Sequence, residues 1–226
     1  MSVLVLGDGL LGKEIINQTN WQYISRKKNG FDVTKSYNLN ILDEYDIIVN
    51  CIAYTKTYNV NRNDNWEINY RFVDKLIDYC NANSKKLIHI STDYIYTGSI
   101  ENATEEDVPV HLNTWYGYTK LIGDSLVQLR CNNYLICRLS HKPYPFPYKE
   151  AWCDIKTNCD YVTTIASMVI KLINNECNGV YNIGTEPKSL YDLAIITKKD
   201  VISINKPSYV PDNTTMNLDK INEIYK

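Results

Sequence analysis

The fold can be predicted from the stretch "SVLVLGDGLLGKEIINQ", residues 2–18. A short β-branched apolar run is followed by apolar residues at helical spacing, which predicts a strand leading directly into a helix. The GxGxxG loop between them suits a tight turn, the approach of a pyrophosphate to the backbone, and close packing of helix on strand. Such turns also occur for purely structural reasons, but this position favours dinucleotide binding. The predicted cofactor contacts are Gly7, Asp8, Gly9, Leu10, Leu11 and Gly12.

Strand and helix patterns alternate along the next part of the chain. Four apolar runs are predicted as strands: "WQYIS" (21–25), "YDIIVNCIAY" (45–54), "KKLIHIS" (85–91) and "YLICRLS" (134–140). Helical spacing predicts an amphipathic helix over about 66–83 and another over 115–130, the latter with Leu121, Ile122, Leu126 and Leu129 facing inward. This alternation of predicted strands and helices predicts an α/β fold, a Rossmann-type doubly wound parallel sheet with helices on both faces.

The pattern of the sequence changes after residue 140. The segment "HKPYPFPYKEAW" (141–152) is rich in proline and is predicted to be irregular. It is followed by a predicted helix over 160–174, a strand "GVYNIG", a helical turn or two in "SLYDLAI" and a strand "DVISIN". We therefore predict a single domain over 1–226. Its Rossmann core spans 1–140, and 141–226 is mostly a small substrate-binding lobe interleaved with the last strands of the sheet.

The composition of the chain limits the kinds of partner that it is expected to bind. The formal net charge is −2 and no long block of Lys or Arg occurs, which argues against nucleic acid or an anionic membrane as a partner. No segment has the roughly 18 apolar residues of a membrane span. The seven cysteines are scattered without a CxxC pair, so we expect free thiols and no metal site. These features predict a cytoplasmic protein.

The end of the second predicted strand bears on the choice of cofactor. Sites that prefer NAD place an acidic residue there to bond both ribose hydroxyls. Here Ser25, Arg26, Lys27 and Lys28 offer a hydroxyl and three positive charges, which suit the 2'-phosphate of NADPH. NADPH is favoured, with NADH as the other option. The simpler interpretation is that "RKKNG" is a solvated turn.

A second cluster has the residue types that reduce a carbonyl group. Tyr116 and Lys120 are four residues apart on a predicted helix, so they share one face. An adjacent ammonium lowers the pKa of a phenol, and a neighbouring hydroxyl can bond the same carbonyl oxygen that the phenol protonates. Thr92, at a predicted strand end 24 residues earlier, supplies that hydroxyl. The YxxxK spacing alone is common in a chain with 19 tyrosines.

Several longer stretches resemble one known family. They are "VLGDGLLG" (5–12), "IIVNCIAYTKTYNVNRNDNWEINY" (47–70), "ISTDYIYTGSIENATEEDVPVHLNTWYGYTKLIGD" (90–124), "CRLSH" (137–141), "GVYNIG" (179–184) and "PDNTTMNLDKI" (211–221). Together they resemble the extended short-chain dehydrogenase/reductases and, within these, the dTDP-4-dehydrorhamnose reductase group. The resemblance covers most of the chain.

The resemblance implies a role for each matching position. Thr92 would bond the substrate carbonyl, Tyr116 would donate the proton, and Lys120 would bond the nicotinamide ribose and lower the pKa of Tyr116. The implied substrate contacts are Thr92, Asp93, Tyr94 and His141. Besides the glycine loop and Ser25, Arg26 and Lys27, the implied cofactor contacts are Asp32, Val33, Cys51, Ile52, Ala53, Tyr54, Asn69, Ile90, Tyr116 and Lys120.

The resemblance also implies an activity, with two alternatives. It implies an NADPH-dependent oxidoreductase that reduces the 4-keto group of a nucleotide-activated 4-keto-6-deoxy sugar, in deoxysugar and surface-glycan synthesis. The related dehydratases carry a Glu where this chain has Tyr94, so water elimination lacks a needed group. One alternative is a nucleotide-sugar epimerase of the same fold. The other is a non-catalytic NADP-binding regulatory subunit.

The chain departs from the family pattern at two places. His141 stands where the reductases usually have Trp, and the segment from 147 to 156 is shorter than theirs, which motivates the regulatory alternative. For His89, His111 and His141 we favour structural or surface roles over catalytic ones. The implied partner is a nucleotide-sugar substrate, and a homodimer is compatible with a chain of this size.

Overall fold

Twelve short strands carry the described fold. The computed structural model describes residues 1–99, 101–111 and 114–226. The strands are β1 (Val3–Leu6), β2 (Gln22–Ile24), β3 (Ile47–Asn50), β4 (Lys86–Thr92), β5 (Tyr134–Leu139), β6 (His141–Lys142), β7 (Glu150–Trp152), β8 (Lys156–Thr157), β9 (Asp160–Tyr161), β10 (Gly179–Ile183), β11 (Ile202–Ile204) and β12 (Asn213–Thr214). Six of them form one parallel sheet in the order β10-β5-β4-β3-β1-β2. The predicted α/β doubly wound fold is confirmed.

Helices connect these strands. They are α1 (Leu10–Thr19), α2 (Arg26–Asn29), α3 (Arg62–Trp66), α4 (Phe72–Ala82), α5 (Trp115–Arg130), α6 (Val162–Asn174), α7 (Leu190–Thr197) and α8 (Asp219–Glu223). A π-helical turn, Glu67–Arg71, joins α3 to α4, and short 3-10 helices span Leu39–Leu42 and Asp93–Tyr96. The helix predicted over about 66–83 is therefore present and begins earlier, at Arg62.

The strand order places a ligand crevice next to β1. This strand pairs with β2 on one side and with β3 on the other, so the winding of the sheet reverses there. In open parallel sheets, ligands bind outside the carboxyl ends of the strands at such a reversal. The glycine loop follows β1 at this point.

Each face of the sheet buries its own apolar core. On one face α1 packs beside α6, with Ile15 and Val169 fully buried against the strands. On the other face α4 and α5 cover the sheet, with Leu76 and Val127 buried. The strands are buried on both sides, which explains why they have continuous apolar runs without alternation.

The residues after β5 add a small lobe to the sheet. It contains three two-stranded parallel pairs, β6 with β9, β7 with β11 and β8 with β12, and its own apolar core around Phe146, Tyr161 and Leu193. The expectation that 141–152 is irregular throughout is wrong at its two ends. His141–Lys142 and Glu150–Trp152 are strands there, because each finds a pairing partner distant in sequence.

The inward face of α5 differs from the prediction. Leu129 is 82% exposed, and Leu121, Ile122 and Leu126 are only partly buried. The buried positions of this helix are Gly117, Thr119, Lys120, Gly123, Asp124 and Val127. The prediction followed apolar residues alone. Instead, α5 turns inward Thr119, Lys120 and Asp124, which have buried polar partners, and glycines on which neighbouring groups pack closely.

One such partner is Arg138 on β5. Its guanidinium makes two hydrogen bonds to the Asp124 carboxylate, Nη2 to Oδ1 at 2.8 Å and Nε to Oδ2 at 3.1 Å, with both side chains at most 1% exposed. Arg138 also donates to the Tyr96 hydroxyl. This ion pair joins α5 to the centre of the sheet.

Among the described residues, no helix has both the length and the apolar character needed to cross a bilayer.

We expect Asp124→Ala to lower the free energy of unfolding by about 3–5 kcal/mol, because it leaves the Arg138 charge buried without its partner. Urea denaturation measures the loss. Asp78→Ala is the matched control, since Asp78 is 63% exposed and pairs with the surface Arg130. That variant should change the free energy by less than about 1 kcal/mol. Equal effects of the two substitutions would contradict the assignment of Arg138–Asp124 as a structural ion pair.

Candidate active site

The glycine loop has the geometry of a ligand cradle. Gly7 has φ +94°, a conformation that favours glycine, and a Cβ on Gly12 would lie 2.2 Å from the Gly7 carbonyl oxygen. Helix α1 therefore packs directly against the turn that precedes it. Its N-cap is Gly9, which has no side chain to accept the first amide hydrogens. Those N–H groups are available to an anion.

Two cavities adjoin this loop. The larger, which we call the central cleft, has a volume of about 440 Å³ and lies beyond the ends of β4 and β5. The smaller, which we call the side cavity, has a volume of about 290 Å³ and lies beyond the end of β2. The predicted residues that line the central cleft are Gly9, Leu10, Leu11, Gly12, Cys51, Ala53, Ile90, Thr92, Asp93, Tyr94, Tyr116, Lys120 and His141. Those that line the side cavity are Gly7, Asp8, Gly9, Ser25, Arg26, Lys27, Asp32, Val33, Cys51, Ile52 and Ala53.

The side cavity combines a buried hydroxyl with two exposed cations. Ser25 is buried and caps α2 by accepting a hydrogen bond from the Lys28 amide at 3.1 Å. Arg26 and Lys27 are exposed at the rim of the cavity. Lys28 points elsewhere, with its ammonium 3.8 Å from the centroid of the Tyr23 ring. The cap thus directs two of the three cations toward the cavity.

Thr92, Tyr116 and Lys120 meet at the central cleft. Thr92 ends β4, and Tyr116 and Lys120 lie in the first two turns of α5. The Lys120 ammonium is buried and donates a hydrogen bond to the Ile90 carbonyl at 2.6 Å. His89 Nε2 lies 3.5 Å from the same ammonium. The three predicted residues therefore line one cavity together with the glycine loop.

Burial controls the protonation of this cluster. It lowers the pKa of Lys120 to about 8, against the opposing effect of the Asp124 charge. It raises the pKa of Tyr116 to about 12, while the neighbouring Thr92 hydroxyl acts in the opposite direction. The expectation of a lowered phenol pKa is therefore wrong for this structure. Loss of hydration penalises the phenolate more than its surroundings stabilise it, so Tyr116 keeps its proton at neutral pH.

Asp93 and Tyr94 form the adjacent wall. Asp93 is 2% exposed and accepts a hydrogen bond from the Thr92 hydroxyl at 3.1 Å. Burial raises the pKa of its carboxyl group to about 6. The Tyr94 hydroxyl lies 2.5 Å from that of Tyr58, and the Tyr94 ring meets the Tyr116 ring edge-on at 6.2 Å. Burial also raises the pKa of Tyr94, so its phenol is protonated near neutrality, whereas Asp93 is charged above about pH 6.

Two predicted cofactor contacts, Tyr54 and Asn69, line neither cavity. Asn69 lies in the π-helical turn and is 1% exposed. Its Oδ1 accepts from the Tyr54 amide at 2.8 Å, and its Nδ2 donates to the Thr119 hydroxyl at 3.2 Å. Asn69 thus ties the segment after β3 to α5. π-helical turns often occur at functional sites.

The three histidines differ in their surroundings. His111 is held by hydrogen bonds to the Tyr94 carbonyl at 2.7 Å and to Thr114. His89 is buried behind Lys120, and its pKa lies well below the usual value because of burial. Only His141 lines the central cleft, where burial lowers its pKa to about 4 and keeps the ring neutral.

Sequence reasoning missed several lining residues of the central cleft. They are Thr55, Thr57, Tyr58, Ser91, Leu139, Ser140, Lys142 and Trp152. Ser91 and Ser140 follow apolar strand positions, so their location at strand ends was the one available signal. Lys142 and Trp152 lie in the proline-rich segment, where no periodicity marked them. Within the described residues, no group of three or more His, Cys, Asp or Glu side chains is placed to hold a metal ion.

The parallel sheet, glycine loop and Thr-Tyr-Lys cluster together define a fold of the extended short-chain dehydrogenase/reductase type. The family model described as the RmlD substrate binding domain matches residues 1–141. The match covers more than half of the chain, which therefore belongs to this family.

Curated relatives include two reductases that match part of the chain. A probable low-salt glycan biosynthesis reductase from Haloferax volcanii is 33% identical over 115 residues, covering 48% of this chain and 38% of that protein. A dTDP-4-dehydrorhamnose reductase from Shigella flexneri is 34% identical over 98 residues, covering 42% and 32%. The chain thus spans about a third of the length of these two relatives. The dTDP-4-dehydrorhamnose reductase of Aggregatibacter actinomycetemcomitans aligns over 89% of this chain and 78% of its own, at 24% identity.

Solved structures match the fold over nearly the whole chain. A dTDP-4-dehydrorhamnose reductase from Clostridium acetobutylicum superimposes with a TM-score of 0.83 at 20% identity, covering 99% of this chain and 92% of that one. The Bacillus anthracis dTDP-4-dehydrorhamnose reductase in complex with NADP gives 0.79 at 22% identity, with the same coverage. At these identities the likeness establishes the fold.

We expect Asp93→Asn to stabilise the protein at pH 7.5 but not near pH 4. The folded carboxyl group has a pKa of about 6, above its ordinary 3.8, so the folded state holds the proton more tightly and stability falls as pH rises between these values. Removing the charge should recover on the order of 3 kcal/mol above pH 6. Urea denaturation at the two pH values tests this, and an equal gain at both would show that Asp93 does not titrate in this range.

Proposed function

We propose that this protein is an NADPH-dependent reductase of the 4-keto group of a nucleotide-activated 4-keto-6-deoxy sugar. The observation that carries the proposal is the convergence of Thr92, Tyr116 and Lys120 on one cleft that also contains the glycine loop. The names of its relatives, among them a dTDP-4-dehydrorhamnose reductase and a glycan biosynthesis reductase, support the substrate class.

The residues present fit NADPH. The backbone between Gly7 and Gly12 is a cradle that larger side chains would fill, and the first turn of α1 leaves its amides open to a pyrophosphate. Arg26 and Lys27 place positive charge at the rim of the side cavity, where a 2'-phosphate needs it. We propose that Asp32, Val33, Cys51, Ile52, Ala53 and Ile90 line the path of the cofactor between the two cavities, and that Tyr54 and Asn69 support this path from behind.

In the proposed reaction, the side chains act on the carbonyl oxygen. NADPH supplies the hydride that reduces the carbonyl carbon. Tyr116 donates its phenolic proton to the oxygen, and Thr92 bonds the same oxygen. The Lys120 ammonium, held by the Ile90 carbonyl, stabilises the phenolate that remains. A raised pKa suits Tyr116, because the donor must carry its proton before the reaction.

We propose that residues 1–140 form the cofactor-binding core and that 141–226 supply most of the substrate-binding lobe. Asp93, Tyr94 and His141 line the sugar end of the central cleft in this assignment. The intact Thr-Tyr-Lys cluster weighs against a purely regulatory NADP-binding subunit, and no observation favours the epimerase alternative. A homodimer and a cytoplasmic location stay predictions.

Tyr116→Phe is expected to lower turnover by at least about 100-fold while leaving NADPH binding intact, because only the proton donor is lost. The assay follows NADPH oxidation, with NADH alongside, on freshly prepared dTDP- or UDP-4-keto-6-deoxyhexose. Tyr118→Phe is the matched control, two residues along the same helix and exposed to solvent. Full activity of Tyr116→Phe would refute the assigned donor. An inactive wild type that binds NADPH would favour another keto substrate or the regulatory alternative.

Arg26→Ala is expected to raise KM for NADPH about tenfold and to leave KM for NADH nearly unchanged, because the lost contact is with the 2'-phosphate alone. Lys28→Ala serves as the control, since Lys28 packs on Tyr23 and does not line the side cavity. Steady-state kinetics with both nucleotides measure the change. An equal loss with NADPH and NADH would place Arg26 away from the 2'-phosphate.

A further inference from the structure

The central cleft continues into two further cavities of opposite character. One, which we call the basic pocket, has a volume of about 570 Å³ and shares Lys142 and Trp152 with the central cleft. The other, which we call the acidic pocket, has a volume of about 400 Å³ and shares Tyr58 and Tyr94 with it. A nucleotide sugar with its carbonyl at Tyr116 must extend its nucleoside diphosphate into one of them.

Charge distinguishes the two pockets. The acidic pocket is lined by the carboxylates of Glu101 and Asp212, and its described lining contains no Lys or Arg. Asp212 pairs with Lys206 at 2.5 Å, which leaves Glu101 uncompensated there. The basic pocket is lined by two cations, Lys142 and Lys149, and by one carboxylate, Glu150, so its lining carries a net positive charge. A diphosphate is repelled by the first lining and attracted by the second.

Lys142 is the cation at the junction of the cleft and the basic pocket. It lies on β6, where pairing with Tyr161 of β9 fixes its backbone, and its side chain is half-buried. Among the described residues, its ammonium belongs to no ion pair. The other lysine of the central cleft, Lys120, already donates to the Ile90 carbonyl. A nearby acidic group is Asp93, whose pKa burial raises and the Lys142 charge partly lowers without an ion pair forming, so Lys142 is the charge that can meet an anion leaving the cleft on this side.

An aromatic surface lies beside Lys142. Trp152 is half-buried on β7, opposite Ile204 of β11, and lines both the cleft and the basic pocket. Phe146 and Tyr148 continue the wall, with their rings edge-on at 5.3 Å. A flat indole next to a lysine offers stacking for a base and charge for the phosphates attached to it.

We propose that the nucleotide of the substrate occupies the basic pocket, with Lys142 bound to the diphosphate and Trp152 stacked on the base. This inference rests on the proposed function, because it takes the substrate to be a nucleotide sugar. The short lobe thus recognises the nucleotide through two residues held by strand pairs. The acidic pocket stays outside the substrate path.

Titration calorimetry of the full chain loaded with NADP tests this, with dTDP, UDP and the corresponding nucleosides as probes. Wild type should bind the diphosphates more tightly than the nucleosides. Lys142→Gln should weaken diphosphate binding at least about tenfold and leave nucleoside and NADP binding nearly unchanged. Lys142→Arg should restore the preference. Lys199→Gln, which changes an exposed lysine that lines neither the cleft nor the basic pocket, should have an effect below about threefold.

Fluorescence provides a second readout. Binding of dTDP should quench tryptophan emission, and Trp152→Phe should abolish that quenching while the other three tryptophans are retained. Diphosphate affinity unchanged in Lys142→Gln would overturn the inference, as would a larger loss in Tyr209→Ala of the acidic pocket. Turnover of the 4-keto sugar by the wild type would then leave the proposed function intact. A wild type that binds NADP but neither diphosphate would overturn both.

Discussion

The close contact between the first strand's turn and the first helix is the constraint on which the site depends. Because Gly12 has no Cβ, α1 lies against the carbonyl of Gly7, and Gly7 adopts a backbone conformation that favours glycine. This contact aims the amides at the start of α1 into the crevice where the sheet reverses its winding. The two cavities that we assign to the cofactor lie on either side of that loop.

The active-site cluster shows that burial has opposite consequences for stability and for chemistry. Asp93 and Lys120 are nearly fully buried, and burial works against the charged form of each. A fold selected only for stability would replace such groups with apolar ones. At the cleft, the same burial keeps Tyr116 protonated and leaves the Lys120 ammonium with one strong partner, the Ile90 carbonyl. By contrast, the equally buried Arg138–Asp124 pair is compensated internally and joins α5 to the sheet.

The lobe after β5, which we propose binds the nucleotide, is built from short elements. Its strands have two or three residues each, and they hold Lys142 and Trp152 at the edge of the central cleft through pairings with segments far along the chain. Where the cleft meets the acidic pocket, Tyr58 is in aromatic contact with Tyr94 and with Tyr209. In this proposal, the charge of the lining directs the nucleoside diphosphate into the basic pocket and away from the acidic pocket.

Local patterns in the sequence predicted much of the fold and several residues of the candidate site. The strand-glycine-helix stretch and the alternating apolar runs identified the parallel sheet, because periodicity and glycine spacing depend only on neighbouring residues. The same reasoning placed Thr92 at a strand end and Tyr116 with Lys120 on one helix face. It was wrong about Leu129, since which face of α5 is buried depends on Asp124 meeting Arg138 from another strand.

Other features were decided by tertiary structure alone. The raised pKa of Tyr116 depends on burial by the surrounding residues and is invisible in the spacing of Tyr and Lys. Asn69 acts on Tyr54 and Thr119, two contacts distant in sequence. Lys142 and Trp152 became cleft residues through strand pairs that no local pattern marked. Local sequence patterns were enough to predict the fold class and the core of the site. The protonation of that site and the charge of the basic and acidic pockets depend on distant segments that pack together and exclude water.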